Sequence, residues 1–153
     1  MKAAGLTHGG FYGYFKSKDD LIAQTLAHVF AEGPAEIDLA RYAESYLSQR
    51  NCQNVADGCP TAALGSETTR QTSAARAAMT KGLRQHIERL TRSAKGKTAA
   101  EKRRAAIGSY AAMVGALIMA RFSDDPKLSE ELLAQTRAWI AGAATSRGHT
   151  LTR

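Results

Sequence analysis

The run Ala4-Gly5-Leu6-Thr7-His8-Gly9-Gly10-Phe11-Tyr12-Gly13-Tyr14-Phe15-Lys16-Ser17-Lys18-Asp19-Asp20-Leu21 decides how the rest of the chain is read. Gly5 terminates a helix, because at C′ glycine takes the left-handed conformation without a Cβ penalty. Thr7 follows as an N-cap, its hydroxyl placed to accept from the backbone N–H of Gly9 or Gly10. A short helix of about two turns then carries His8 to Phe15. Ser17 caps again, with Asp20 three residues on as its capping-box partner, ahead of the apolar positions Leu21, Ile22 and Leu26. Helix, glycine turn and short helix in that order make a helix-turn-helix.

Outward from this run the pattern stays helical. Lys18 to about Ala31 reads as an amphipathic helix with Leu21, Ile22, Leu26, Val29 and Phe30 on one face, closed by Gly33-Pro34. A second helix is predicted from about Ala35 to Gln49, and Asn51 to Gly58 reads as a polar loop. Cys59-Pro60 opens a short helix to about Arg70, with Pro60 in the tolerated first turn. Ser73 to about Ala94 follows, with Met79, Leu83, Ile87 and Leu90 at helical spacing. The longest helix spans about Thr98 to Phe122, with Ile107, Tyr110, Val114, Leu117, Ile118 and Phe122 on its apolar side. Gly108, Ala111, Ala112, Gly115 and Ala116 are interleaved there, so another helix can approach closely. Asp125 caps a last helix with Pro126 in its first position; it carries Leu128, Leu132, Leu133, Trp139 and Ile140 and fades between Gly142 and Thr145.

Composition narrows the function classes. The chain has 153 residues, 44% hydrophobic and 23% charged, which is the balance of a soluble globular protein long enough to bury a core. Abundant alanine and scarce proline favour helix. No apolar run is expected to reach the roughly 18 residues of a membrane span, and no apolar h-region follows Lys2; the expected compartment is the cytoplasm. The net charge of +7 suits a polyanionic partner. The basic excess lies between Arg76 and Arg104 rather than in the nearly neutral stretch from Met1 to Phe30, and is read as a solvated helix face. Cys52 and Cys59 read as free thiols in a reducing compartment, with a disulfide or redox switch as the open alternative. With no CxxC and no clustered His, Asp or Glu, no metal or cofactor is implied. With no nucleophile elbow, phosphate loop or HExxH, nothing points to an enzyme.

The pattern Ala-Gly-Leu-Thr-x-Gly-x-Phe-Tyr-x-Tyr-Phe-x-Ser-Lys-x-x-Leu, Ala4 to Leu21, resembles the DNA-binding signature of TetR/AcrR-type transcriptional regulators. It covers the second half of their helix-turn-helix and the start of the next helix. The resemblance implies an all-α, TetR-like fold. A partial helix-turn-helix head and linking helix would occupy residues 1–31, and a helical ligand-binding and dimerisation domain residues 32–153. In the family one complete helix and most of a second precede the motif; here only Lys2-Ala3-Ala4 stands before Gly5. Two consequences are open: a regulator with an incomplete head, or a helical dimer that binds a small molecule and no longer binds DNA. The run Gly58-Cys59-Pro60-Thr61-Ala62-Ala63-Leu64-Gly65-Ser66-Glu67 is similar to a segment of one TetR-like subgroup just before its pocket helices.

The implied partners are double-stranded operator DNA, a small-molecule effector and a second copy of the chain, with no membrane. A recognition helix lies in the major groove with its N-terminal residues nearest the bases. Thr7 and Tyr14 carry hydroxyls suited to phosphate, His8 reaches a base edge, and Gly9 and Gly10 allow close backbone approach. Tyr12 either touches the DNA backbone or packs the head, and Lys18 matches the family lysine that meets phosphate. Tyr46, Cys59, Met79, His86, Tyr110 and Met113 are the candidate pocket residues. Ala112, Gly115, Ala116, Met119, Leu132, Trp139 and Ile140 are the candidate dimer interface, since two heads must meet two half-sites.

Overall fold

The computed structural model describes residues 13–32, 37–56 and 58–145, and among these all regular structure is helical. The helices are α1 (Lys18–Ala31), α2 (Leu39–Tyr46), α3 (Gln49–Gln53), α4 (Pro60–Thr68), α5 (Ser73–Ser93), α6 (Ala99–Phe122) and α7 (Pro126–Thr145). The all-α expectation therefore holds. The glycine turn at Gly5 and most of the short helix after it lie outside the described residues.

Several boundaries follow from side chains that satisfy the end groups of a helix. Ser17 Oγ accepts from Asp20 N at 3.1 Å and starts α1. The Asp20 carboxylate closes the other half of the cap one residue early, taking Lys16 N at 2.9 Å rather than Ser17 N. That amide first, and the Gln24 side chain second, hold the Asp20 carboxyl below its ordinary range. At α6 the box is complete: Thr98 Oγ1 accepts from Glu101 N at 3.2 Å and Glu101 Oε2 accepts from Thr98 N at 3.2 Å. Asp125 Oδ1 accepts from Lys127 N at 2.9 Å as Pro126 opens α7.

The helix expected over 35–49 is broken in two. It begins at Leu39 on the Asp38 cap, whose Oδ1 accepts from Arg41 N at 2.8 Å, and it ends at Tyr46. Ser48 causes the break. Its hydroxyl donates to Ser45 O at 2.8 Å and accepts from Asn51 N at 3.2 Å, so the side chain competes with the helical ladder and caps a new helix. The five residues of α3 occupy part of the stretch expected to be loop.

The chain divides into two compact units, one drawn from Met1–Gly33 and Leu64–Gln85, the other from Pro34–Ala63 and His86–Arg153. In the first, Leu26 and Phe30 of α1 pack with Met79 of α5, flanked by Ile22 and Ala78. Gly82 sits against the Phe30 ring. In the second, α6 is central, packing on α7, α2 and α3. Its inward stripe is Ala106, Ser109, Tyr110, Met113, Ala116, Leu117 and Ala120. Leu47, Leu90, Leu133 and Ile140 complete the buried core.

Several hydrogen bonds from side chains to backbone tie this second unit together. Ser129 Oγ donates to Ala120 O at 2.9 Å, and Arg137 Nη1 donates to Leu47 O at 2.7 Å. Ser93 Oγ donates to Ile37 O and accepts from Leu39 N, fixing the entry of α2 against the end of α5.

One expectation needs correction. α6 is long and apolar enough, by length and composition, to cross a membrane. Alanine and glycine between the large apolar residues make both of its faces apolar. Its inward stripe is buried in the bundle, whereas Ile107, Ile118, Met119 and Phe122 are exposed.

Candidate functional site

Of the residues expected to meet DNA, Thr7, His8, Gly9, Gly10 and Tyr12 lie outside the described residues. Tyr14 and Lys18 are both solvent-exposed, Tyr14 by 73%. A tyrosine this open has little packing of its own, and its hydroxyl is accessible to a phosphate oxygen.

The expected pocket residues separate. Tyr46, Cys59, His86 and Tyr110 come together in the second unit. Met113 is fully buried one turn along α6 from Tyr110, and Met79 packs with Leu26 and Phe30 in the first unit. Tyr42 joins the group. It sits one turn before Tyr46 on α2, so the two phenol rings share a face, with centroids 5.5 Å apart. The His86 ring lies 5.3 Å from Tyr42 and 4.6 Å from Tyr110, and Tyr110 lies 6.4 Å from Tyr46. Tilted and edge-on arrangements at these separations are the favourable ones for aromatic groups.

The polar tips of these rings are unequally served. Tyr110 donates to Thr61 Oγ1 at 3.0 Å, and its oxygen lies 3.2 Å from Cys59 Sγ. Tyr46 Oη and His86 Nε2 are buried with no well-formed hydrogen bond. Such groups cost roughly 1–3 kcal/mol each when left unsatisfied, and their presence together marks the site. Burial first, and the neighbouring Cys59 sulfur second, push the phenols of Tyr42, Tyr46 and Tyr110 well above the ordinary tyrosine range. All three therefore stay protonated donors at neutral pH.

The His86 imidazole is pulled the other way, down to about 4, by burial and then by the positive charge of Arg89. In the unfolded chain it protonates near 6.5, so between these values the unfolded state holds the extra proton. Stability is complete above about pH 6.5 and is lost as pH falls towards 4. After allowance for the partial exposure of the residue, the loss is on the order of 2 kcal/mol. Urea midpoints at pH 7 and pH 4.5 should fall further for the wild type than for His86→Gln; equal drops would show that His86 is not the group responsible.

Beside the rings opens a cleft of about 650 Å³. Tyr42, Ser45 and Tyr46 of α2 form one wall, Ser48, Arg50 and Asn51 the next, and Asn54, Gly58 and Cys59 the third. Arg121 of α6 holds the α3 side in place. Its guanidinium donates to Asn51 O at 3.0 Å, Cys52 O at 3.2 Å and Asn54 O at 3.3 Å. Gly58 is needed beside it, because a Cβ there would stand 2.9 Å from Arg121 Nη2 and 2.9 Å from Asn54 O. Cys52 and Cys59 are both free thiols, Cys52 buried and Cys59 half-buried. Among the described residues no cluster of His, Cys, Asp and Glu could hold a metal ion. Arg50, Asn51, Asn54 and Arg121 carried no periodic signal in the sequence. The spacing of Tyr42 and Tyr46 did, and it could have paired them.

The candidate interface residues also separate. Ala116 and Ile140 belong to the chain's own core, because they fall on the inward stripes of α6 and α7. Ala112, Gly115 and Leu132 are half-buried, and Met119 and Trp139 are exposed. A Cβ at Gly108 or Gly115 would meet nothing within 4 Å, so neither glycine is required by packing within the chain.

No protein-family model matches this chain, and no curated protein matches it. Among solved structures it is similar to Escherichia coli NemR in its reduced form, with a TM-score of 0.68 and 25% identity. The match covers 90% of this chain and 81% of that one. The helical architecture is therefore shared over most of both chains.

Proposed function

We propose that this protein is a cytoplasmic, ligand-responsive transcriptional regulator of the TetR/AcrR kind, acting as a dimeric repressor. The observation that carries the reading is the signature from Ala4 to Leu21. The fold shared with NemR supports it, as does the position of the cleft within a helical bundle. The Arg76–Arg104 excess is peripheral to it: Arg76, Lys81, Arg84, Arg92, Lys95 and Lys97 are exposed, like an ordinary solvated face.

Dimerisation has its own support. Ile118, Met119 and Phe122 on α6 and Leu128 and Trp139 on α7 expose large apolar surface, Phe122 by 74%. Exposed apolar groups gathered on two adjacent helices mark an interaction surface, and Gly108 and Gly115 leave room for a second backbone. Phe122→Glu is expected to weaken self-association by at least about a hundredfold, the loss typical of a central aromatic anchor. Sedimentation at micromolar concentration would read this as a shift from dimer to monomer. A variant that sediments like the wild type would place the interface elsewhere.

The regulator reading is tested by mobility shift on the DNA upstream of the protein's own coding sequence, against a scrambled duplex of equal length. The upstream duplex is expected to bind more tightly, and His8→Ala to narrow the difference between the two. Equal binding to both by the unaltered protein would overturn the reading.

A further inference from the structure

We propose that the cleft lined by α2, α3 and the Gly58–Cys59 turn binds a small planar organic anion, of the aromatic carboxylate class. The inference rests on the reading of this protein as ligand-responsive and adds the chemistry of the ligand. Three observations carry it.

The first is an unmet donor. Tyr46 is only 4% exposed, it lines the cleft, and its hydroxyl has no well-formed hydrogen bond. Three other polar side chains of the cleft are already engaged. Ser45 Oγ donates to Tyr42 O at 3.0 Å, Asn51 Nδ2 donates to Tyr46 O at 2.6 Å, and Ser48 caps α3. The polar group beside the Tyr46 hydroxyl is the Cys59 thiol, a weak acceptor, and an oxygen presented by a ligand would be a stronger one.

The second is shape. The cleft volume of about 650 Å³ is within the usual range for small-molecule sites. One wall is made of phenol rings backed by His86 and Tyr110, which suits the face of a flat ring system. The third is charge. Arg50 lines the cleft, and among the described residues no Asp or Glu does. A carboxylate gains from the guanidinium and from the phenol donor together. A cation would find no counter-charge among the described lining residues, and a neutral ring would gain the stacking alone.

Calorimetric titration of the full chain with 1-naphthoate, 1-naphthamide and 1-naphthylmethylamine separates these cases on one ring system. Naphthoate is expected to bind at least about tenfold more tightly than either of the others, the scale of one charge-assisted hydrogen bond. Tyr46→Phe should weaken naphthoate about tenfold while leaving the melting temperature of the free protein unchanged or raised, since it removes an unpaired buried hydroxyl. Arg50→Gln should abolish the preference for the acid over the amide without moving the melting temperature. The proposal is overturned if naphthoate gives no saturable heat, if the amide or the amine binds as tightly, or if Tyr46→Phe binds as the wild type does. DNA binding, measured separately without naphthoate, distinguishes the two readings. Naphthoate binding without sequence-preferring DNA binding would leave the cleft assignment standing and remove the regulator. The reverse result would do the opposite.

Discussion

Gly82→Ala is expected to destabilise the protein by about 2 kcal/mol, although alanine is the better helix former by about 1 kcal/mol. The two effects oppose each other, and geometry decides between them. A Cβ on Gly82 would stand 2.1 Å from Cγ and Cδ2 of Phe30 and 2.7 Å from its Cβ. These are not the far end of a flexible side chain. Phe30 is buried among Leu26 and Met79, so the ring cannot swing aside without displacing that cluster. Overpacking of this kind costs roughly 1–3 kcal/mol, and overlap at 2.1 Å belongs at or beyond the upper end. Urea denaturation would read the loss as a lower midpoint with little change in slope. In a Phe30→Ala background, where the ring atoms are gone, the same substitution should cost much less. A Gly82→Ala variant more stable than the wild type would mean that α1 and α5 do not approach each other in this way.

Arg121→Ala is expected to cost about 2–3 kcal/mol and to loosen α3. One guanidinium serves the carbonyls of Asn51, Cys52 and Asn54, the end of a five-residue helix too short to hold itself. Charge-assisted hydrogen bonds are individually worth roughly 1.5–3 kcal/mol, but the three share one donor group and the Asn54 carbonyl is open to water, so they do not sum. Arg121→Lys should recover only part of the loss, because an ammonium cannot present the planar fork that reaches three carbonyls at once. Amide exchange at Gln49–Asn54 should accelerate in both variants, more in Arg121→Ala. Unchanged exchange there would remove Arg121 as the support of the α3 side of the cleft.

Much of the fold was legible because helix ends carry local chemistry. Ser17 and Asp20, and Asp125 with Pro126, name their boundaries within a few residues of sequence, and the structure places α1 and α7 there. Two features were not legible. The break between α2 and α3 depends on whether the Ser48 hydroxyl or the helical ladder wins the same backbone groups, and propensity cannot decide that. The orientation of α6 was ambiguous because it is apolar on both sides. Periodicity selected Ile107, Tyr110, Val114, Leu117, Ile118 and Phe122, yet only Tyr110 and Leu117 among these are fully buried and Val114 is half-buried, while the smaller Ala106, Ala116 and Ala120 share the core face. In the cleft and behind its wall, the aromatic and sulfur residues Tyr46, Cys59, His86 and Tyr110 were recognisable by type. Met79 and Met113 fit the same type and pack elsewhere. Arg50, Asn51 and Arg121 were invisible, because their roles depend on which backbone carbonyls tertiary packing brings near.

The most direct measurement is the dissociation constant for the protein's own upstream duplex and for a scrambled duplex, followed from 50 to 200 mM salt. A regulator that sets its head on phosphates through groups such as Lys18 and Tyr14 releases counterions on binding, and six or more phosphate contacts weaken binding by roughly 10³-fold or more over that range. The upstream duplex should remain the tighter of the two at every salt concentration, because base contacts persist where phosphate contacts are screened. Weak binding that is the same for both duplexes and vanishes with salt would contradict the regulator, and would leave a helical small-molecule-binding dimer in its place.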